Sequence, residues 1–144
     1  MLQQLNVQSA FNKTFCYYWS YPGSNPDVGA AHSVELMFVF NMRGFGTNSS
    51  FNGTNNSDEI FTAVMQMWTN FARCGNPSTD KVEWKAYTAQ DQNVLDIAGP
   101  GDLRIKKGLL ASQYKAVLPL LGYYQFMDKF FTPGYLLDIM AARK

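Results

Sequence analysis

A single histidine stands among 144 residues, and that scarcity narrows the chemistry this chain can run. Any mechanism that uses imidazole must use His32, and a nucleophile and an orienting group would have to meet it there. The Gly-x-Ser-x-Gly turn that exposes a serine nucleophile at a sheet edge is absent from the sequence. Ser33 is a poor substitute, because adjacent side chains point apart. The two cysteines, Cys16 and Cys74, have neither CxxC spacing nor histidine neighbours. That gives a zinc site or redox pair little support and leaves buried free thiols as the expectation, with a disulfide as the alternative.

An excess of charge of either sign is missing too. Twelve basic and eleven acidic side chains give a net charge of +1, and no block of like charge occurs, so nothing favours capture of nucleic acid. The longest apolar runs, Leu36 to Phe40 and Val117 to Leu121, are far too short for a membrane span. The first residues show no basic-then-apolar export signal, and no localisation follows. Gly44-Phe45-Gly46 lacks the third glycine and the helix start of a phosphate loop. His32 and Glu35, three apart, supply half of a carboxylate-bridged di-metal pattern whose second half is not found. No cofactor or metal is expected.

What is present is apolar: 47% hydrophobic and 15% aromatic residues are enough for one globular core. Thr14 to Tyr21, closed by Pro22-Gly23, predicts one long strand buried on both faces. Such a strand needs neighbours, and the chain offers only short ones, Val94 to Ile97 and Leu103 to Ile105, around a Gly99-Pro100-Gly101 turn. His32 follows the long strand by way of small residues, where chemistry gathers in open α/β sheets.

Ser57, as a cap, with Asp58 and Glu59 predicts the start of a helix. Ile60, Val64, Met67, Trp68 and Phe71 give it an apolar face, and Arg73, Gly75 and Pro77 give it a stop. The stretch 41–57 reads as an Asn-rich surface loop. Asn48, Asn52 and Asn55 in it, and Asn12 before it, match the glycosylation acceptor pattern. Leu109, Leu110, Tyr114, Val117, Leu118 and Leu121 fit one face of a further helix, with a kink or stop at Pro119. Residues 122–144 are expected to form an aromatic helical tail.

Several of these stretches, taken together, resemble one family. The aromatic run Phe15 to Tyr21 is followed by Gly29-Ala30-Ala31-His32-Ser33-Val34-Glu35-Leu36 and Phe38-Val39-Phe40. Next come Trp68-Thr69-Asn70-Phe71-Ala72-Arg73-Cys74-Gly75-Asn76-Pro77, Trp84-Lys85-Ala86-Tyr87 and a strand ending at Asp96-Ile97. The order and spacing resemble the C-terminal part of type-B carboxylesterases, the α/β-hydrolases that include cholinesterases. The resemblance runs from Thr14 to about Leu121, with the first thirteen residues continuing it backwards.

It implies an α/β fold: a partial α/β-hydrolase domain over 1–144, with one long buried strand, short peripheral strands and packed helices. It implies that His32 is the general base of a Ser-His-Glu/Asp triad; an imidazole, titrating near neutrality, suits taking a proton from serine and returning it to the leaving alcohol. Glu35 resembles a buried, hydrogen-bonded support and not the triad acid. The family's serine elbow, triad acid and oxyanion loop lie upstream of the matching segment, so the 144 residues alone are expected to be inactive. Val34 stands where cholinesterases carry a tyrosine, and Ser33 replaces a frequent glycine, which favours a general carboxylesterase over a choline-ester enzyme. Family members are often secreted.

The expected partners are a small carboxylic ester, reached through the full domain, and either the missing N-terminal hydrolase portion or a second copy of the chain. Two other readings stay open: a non-catalytic adhesion module, and a split hydrolase completed by a second chain.

Overall fold

A computed structural model of the chain describes residues 2–23, 27, 29–43, 57–109, 111–112, 115–120 and 122–123. The chain divides into two units, Gln3–Leu109 and Leu110–Lys144. The first contains α1 (Leu2–Ser9, from its second residue), β1 (Tyr17–Trp19), α2 (Val34–Val39), α3 (Ser57–Cys74), β2 (Asn93–Gly99) and β3 (Asp102–Lys107). In the second, residues 111–112, 115–120 and 122–123 are helical. Helical backbone runs through Pro119 to Leu120 instead of stopping there, and Val117 and Leu118 are exposed. Most of the aromatic tail, 124–144, and most of the Asn-rich loop, 44–56, lie outside the described residues.

The sheet has the order β1-β2-β3. β1 runs parallel to β2, with Tyr17, Tyr18 and Trp19 opposite Leu95, Asp96 and Ile97. β2 and β3 form an antiparallel hairpin whose register shifts between Ile97 and Gly99. Pro100 followed by Gly101 at φ +67° closes it, the proline-then-left-handed-glycine order that a type II turn requires. The two short strands and the turn expected from sequence are all here, each strand longer than its apolar run.

The first strand departs from expectation. The aromatic run yields three strand residues, not eight, and they are exposed or half-buried. Thr14 instead makes a separate antiparallel bridge to Tyr87. Among the described residues β1 has a sheet neighbour on one side only, and Tyr17 and Trp19 are covered only in part, by Trp68 and Phe38 respectively. Among the described residues the long buried strand is β2, with Leu95 and Ile97 fully covered.

Those two side chains form the core with Val64 and Met67 of α3. α3 is a helix for the reasons its sequence suggests: acids in the first turn, Arg73 in the last, and no glycine or proline between. Ile60, Phe61, Val64 and Met67 make the buried face, one turn apart. Ser57 is its first residue. Phe71, expected on the buried stripe, is 49% exposed. Gly75 ends the helix at φ +69°, its N–H donating to the Phe71 carbonyl at 2.8 Å.

Candidate active site

α2 is only six residues long, too short to hold its shape without tertiary support. Phe38 supplies that support. It is 1% exposed, and its ring lies 4.5 Å from Phe61 of α3, 4.8 Å from Trp19 and 5.9 Å from Tyr21, centroid to centroid. One aromatic side chain thus pins the helix to both α3 and the end of β1. Val34, also buried, fixes the first turn.

His32 sits in the turn just before this helix and is exposed. Two left-handed residues bracket it, Gly29 at φ +66° and Ser33 at φ +68°. The Ala31 N–H donates to the Gly29 carbonyl at 3.1 Å, and the Leu36 N–H to the Ser33 carbonyl at 3.2 Å. Glycine takes the first conformation freely; serine takes the second at a cost. The chain therefore turns sharply twice around the histidine and presents it, after β1 in the chain, on the turn that leads into a short helix locked at Phe38.

Glu35 lies in the first turn of α2 and is half-buried, not buried. Among the described residues no hydrogen bond to its carboxylate is present. Its charge is instead felt at Tyr17. Burial first, then the Glu35 carboxylate and Cys16, push the Tyr17 phenol above the usual tyrosine range. The ion pairs among the described residues all use lysine or arginine as the cation, so His32 and Glu35 are not joined in one. No cluster of three metal-ligating side chains occurs among the described residues, and no helix there is long and apolar enough to cross a membrane.

A polar cluster that the sequence reading missed lies at the same end of β1. Asp96 of β2 is 4% exposed; its carboxylate accepts the Ser20 hydroxyl and pairs with Lys106 Nζ at 2.6 Å. Both the Ser20 and Tyr21 N–H groups donate to the Ile97 carbonyl at 3.0 Å. The chain is thus clamped where it leaves the sheet for the histidine turn. The signal was legible: an acid at an inward position of an otherwise apolar strand must find partners.

The cysteines do not pair. Cys16 is buried and free, and burial pushes its thiol up, whereas Cys74 is free and exposed at the end of α3, contrary to the expectation that both are buried.

A parallel strand pair, a hairpin beside it and a histidine on the loop beyond the first strand define a segment of an α/β-hydrolase. Among solved structures, a thermophilic PNB esterase superposes with a TM-score of 0.68 at 24% identity, over 77% of this chain and 23% of that one. A model of the carboxylesterase family matches residues 1–117, and the chain belongs to that family. Acetylcholinesterase of Bungarus fasciatus is 34% identical over 94 residues, 60% of this chain and 15% of that protein. Bile salt-activated lipase of Bos taurus is 32% identical over 109 residues, 70% of this chain and 18% of that protein. The chain therefore spans less than a fifth of the length of these two relatives.

Proposed function

We propose that this chain is the histidine-bearing segment of a carboxylic-ester hydrolase, with His32 as general base and the serine, acid and oxyanion donors supplied by polypeptide outside these 144 residues. The observation that carries the reading is the setting of His32. It is exposed after a parallel strand in the chain, on a turn held by a fully buried phenylalanine, and membership of the carboxylesterase family supplies the reaction class. A base must reach its serine, so exposure on a rigid mount is what the role needs.

In the proposed step the His32 imidazole accepts the serine proton as the hydroxyl attacks the ester carbonyl, then returns it to the departing alkoxide as the acyl-enzyme forms. Water repeats the cycle and releases the acid. Glu35, three residues on, is not the triad acid in this reading. The substrate is a small carboxylic ester of unassigned acyl and alcohol parts.

The test is hydrolysis of a p-nitrophenyl ester by this chain alone and by the chain completed with the rest of a hydrolase of the family. We expect turnover only in the second case, lost with His32→Ala. Turnover that survives His32→Ala overturns the role of His32. A completed enzyme that folds and never hydrolyses the ester would favour the adhesion-module reading.

A further inference from the structure

Along the exposed side of α1 and the turn after it, two rows of side chains recur every fourth residue. Gln3, Val7 and Phe11 make one row; Gln4, Gln8 and Asn12 make the other. Residues four apart stand one above the next on a helix, and the six together line a shallow trough of about 610 Å³. All six are exposed, Val7 to 60% and Phe11 to 80%. No charged side chain lines the trough. It offers an aromatic ring and a valine beside four carboxamides, groups that both donate and accept hydrogen bonds. A ligand that matches it is neutral, rich in hydroxyls and apolar on one face, as a pyranose sugar is.

Asn12, at the end of the trough, heads Asn12-Lys13-Thr14, the acceptor pattern for an N-linked glycan. The turn is anchored on both sides. The Asn12 N–H donates to the Gln8 carbonyl at 3.1 Å, and the Tyr87 N–H donates to the Thr14 carbonyl at 2.7 Å. Between them the Thr14 hydroxyl donates to the Asn12 carbonyl at 3.1 Å. Among the described residues no hydrogen bond engages the Asn12 carboxamide, so a substituent there breaks no contact of the fold. The other acceptor matches, Asn48, Asn52 and Asn55, lie outside the described residues.

We propose that Asn12 is an N-glycan acceptor and that the first sugar of the glycan lies back along the trough with its apolar face on Phe11. The donor is an oligosaccharide carried on a lipid diphosphate, used by a transferase of a secretory compartment. Asn12 Nδ2 attacks the anomeric carbon of the first sugar. The new C–N bond replaces the C–O bond to the diphosphate, which leaves with its electron pair, and one amide proton passes to a base of the transferase. The covalent link holds the sugar beside the ring at high effective concentration, so a weak contact is enough to seat it. His32 and ester hydrolysis play no part in this.

The acceptor is tested by peptide mass spectrometry of the protein from its native source. The peptide that contains Asn12 should carry the mass of a glycan, and recovery of that peptide bare overturns the proposal. The seat of the sugar is tested in the chain made in a secretory eukaryotic host, with Asn48→Gln, Asn52→Gln and Asn55→Gln leaving Asn12-Lys13-Thr14 as the acceptor. Trimming the glycan to its first sugar should leave the thermal midpoint unchanged. Removing that sugar with an amidase should lower it by about 2–4 °C. Phe11→Ala removes an exposed ring, a change the fold tolerates, and in that variant the fall on removing the sugar should vanish. The amidase turns the asparagine into aspartate in both chains, so the difference between them reports the ring alone. An equal fall in both, or a fall in neither, overturns the seat on Phe11.

Discussion

β1 and β2 lie side by side in one sheet, residue opposite residue, and live in different surroundings. β2 is covered at nearly every position, with Leu95 and Ile97 at 0% exposure. Tyr18 of β1, directly opposite the buried Asp96, is 43% exposed. The more aromatic strand is the more open one. What buries a strand is therefore its place in the sheet and the helix over its face, more than its own hydropathy: among the described residues β2 has a strand on each side and α3 across it, and β1 has a strand on one side only. The candidate base belongs to the open side, and its mount belongs to the covered side.

That division can be broken most sharply at His32. Since the side chain is exposed and apart from the core, His32→Ala should leave the thermal midpoint of this chain unchanged to within the ~0.5 kcal/mol typical of surface changes. Ester turnover by the completed hydrolase should fall by at least ~10³-fold. Paired melting curves and p-nitrophenyl ester assays read both. A large loss of stability would mean that the histidine is part of the structure it is proposed only to stand on.

Phe38→Ala should do the reverse, striking the covered side. Removing a ring packed against Trp19, Tyr21 and Phe61 should cost about 3–5 kcal/mol, read as a shift in the denaturant midpoint. In the completed hydrolase it should also cost turnover at temperatures where the protein stays folded, because the turn that carries His32 loses its anchor.

How much of this was legible in the residues differs between the two sides in the same way. α3 could be read almost whole, because its determinants are local: acids at one end, a 3.6-residue stripe, and a glycine stop. The β2–β3 hairpin was found through Gly99-Pro100-Gly101, again a local signal. The aromatic run at 14–21 was misjudged, because hydropathy reports what a strand can bury and is silent on whether anything lies over it. His32 was picked out by its setting and by family resemblance. The burial of Phe38 and the clamp on Ser20 depend on contacts between residues as far apart as Ser20 and Asp96, which no spacing rule reaches.

The Ser20–Asp96 clamp can be weighed by a double-mutant cycle. Asp96→Ala strips both partners from a buried carboxylate site and should cost about 1–3 kcal/mol. Ser20→Ala should cost about 1 kcal/mol, since Lys106 still pairs with the acid. If the two act through one hydrogen bond, the double variant should fall short of their sum by 0.5 kcal/mol or more, roughly the threshold for residues in contact. Strict additivity in urea denaturation would mean that the two groups stabilise the sheet independently and that no clamp joins β1 to β2 there.

The smallest expected effect is a gain, and it lies at the histidine turn itself. Ser33 sits at φ +68° and makes no capping hydrogen bond with its side chain, so it bears the cost of a left-handed backbone, about 1–2 kcal/mol for a residue with a Cβ, with no cap to offset it. Ser33→Gly removes the Cβ that causes the strain but gives the unfolded chain more freedom to lose, which works against the gain. A net stabilisation of roughly 0.5–1 kcal/mol follows, read as a higher thermal midpoint. Glycine is also the residue that the family resemblance makes frequent at this position, so the substitution should leave the presentation of His32, and any turnover by the completed enzyme, unchanged. A fall in turnover with a rise in stability would show that the serine Cβ holds the imidazole in place, and that the strain at this turn is part of the site.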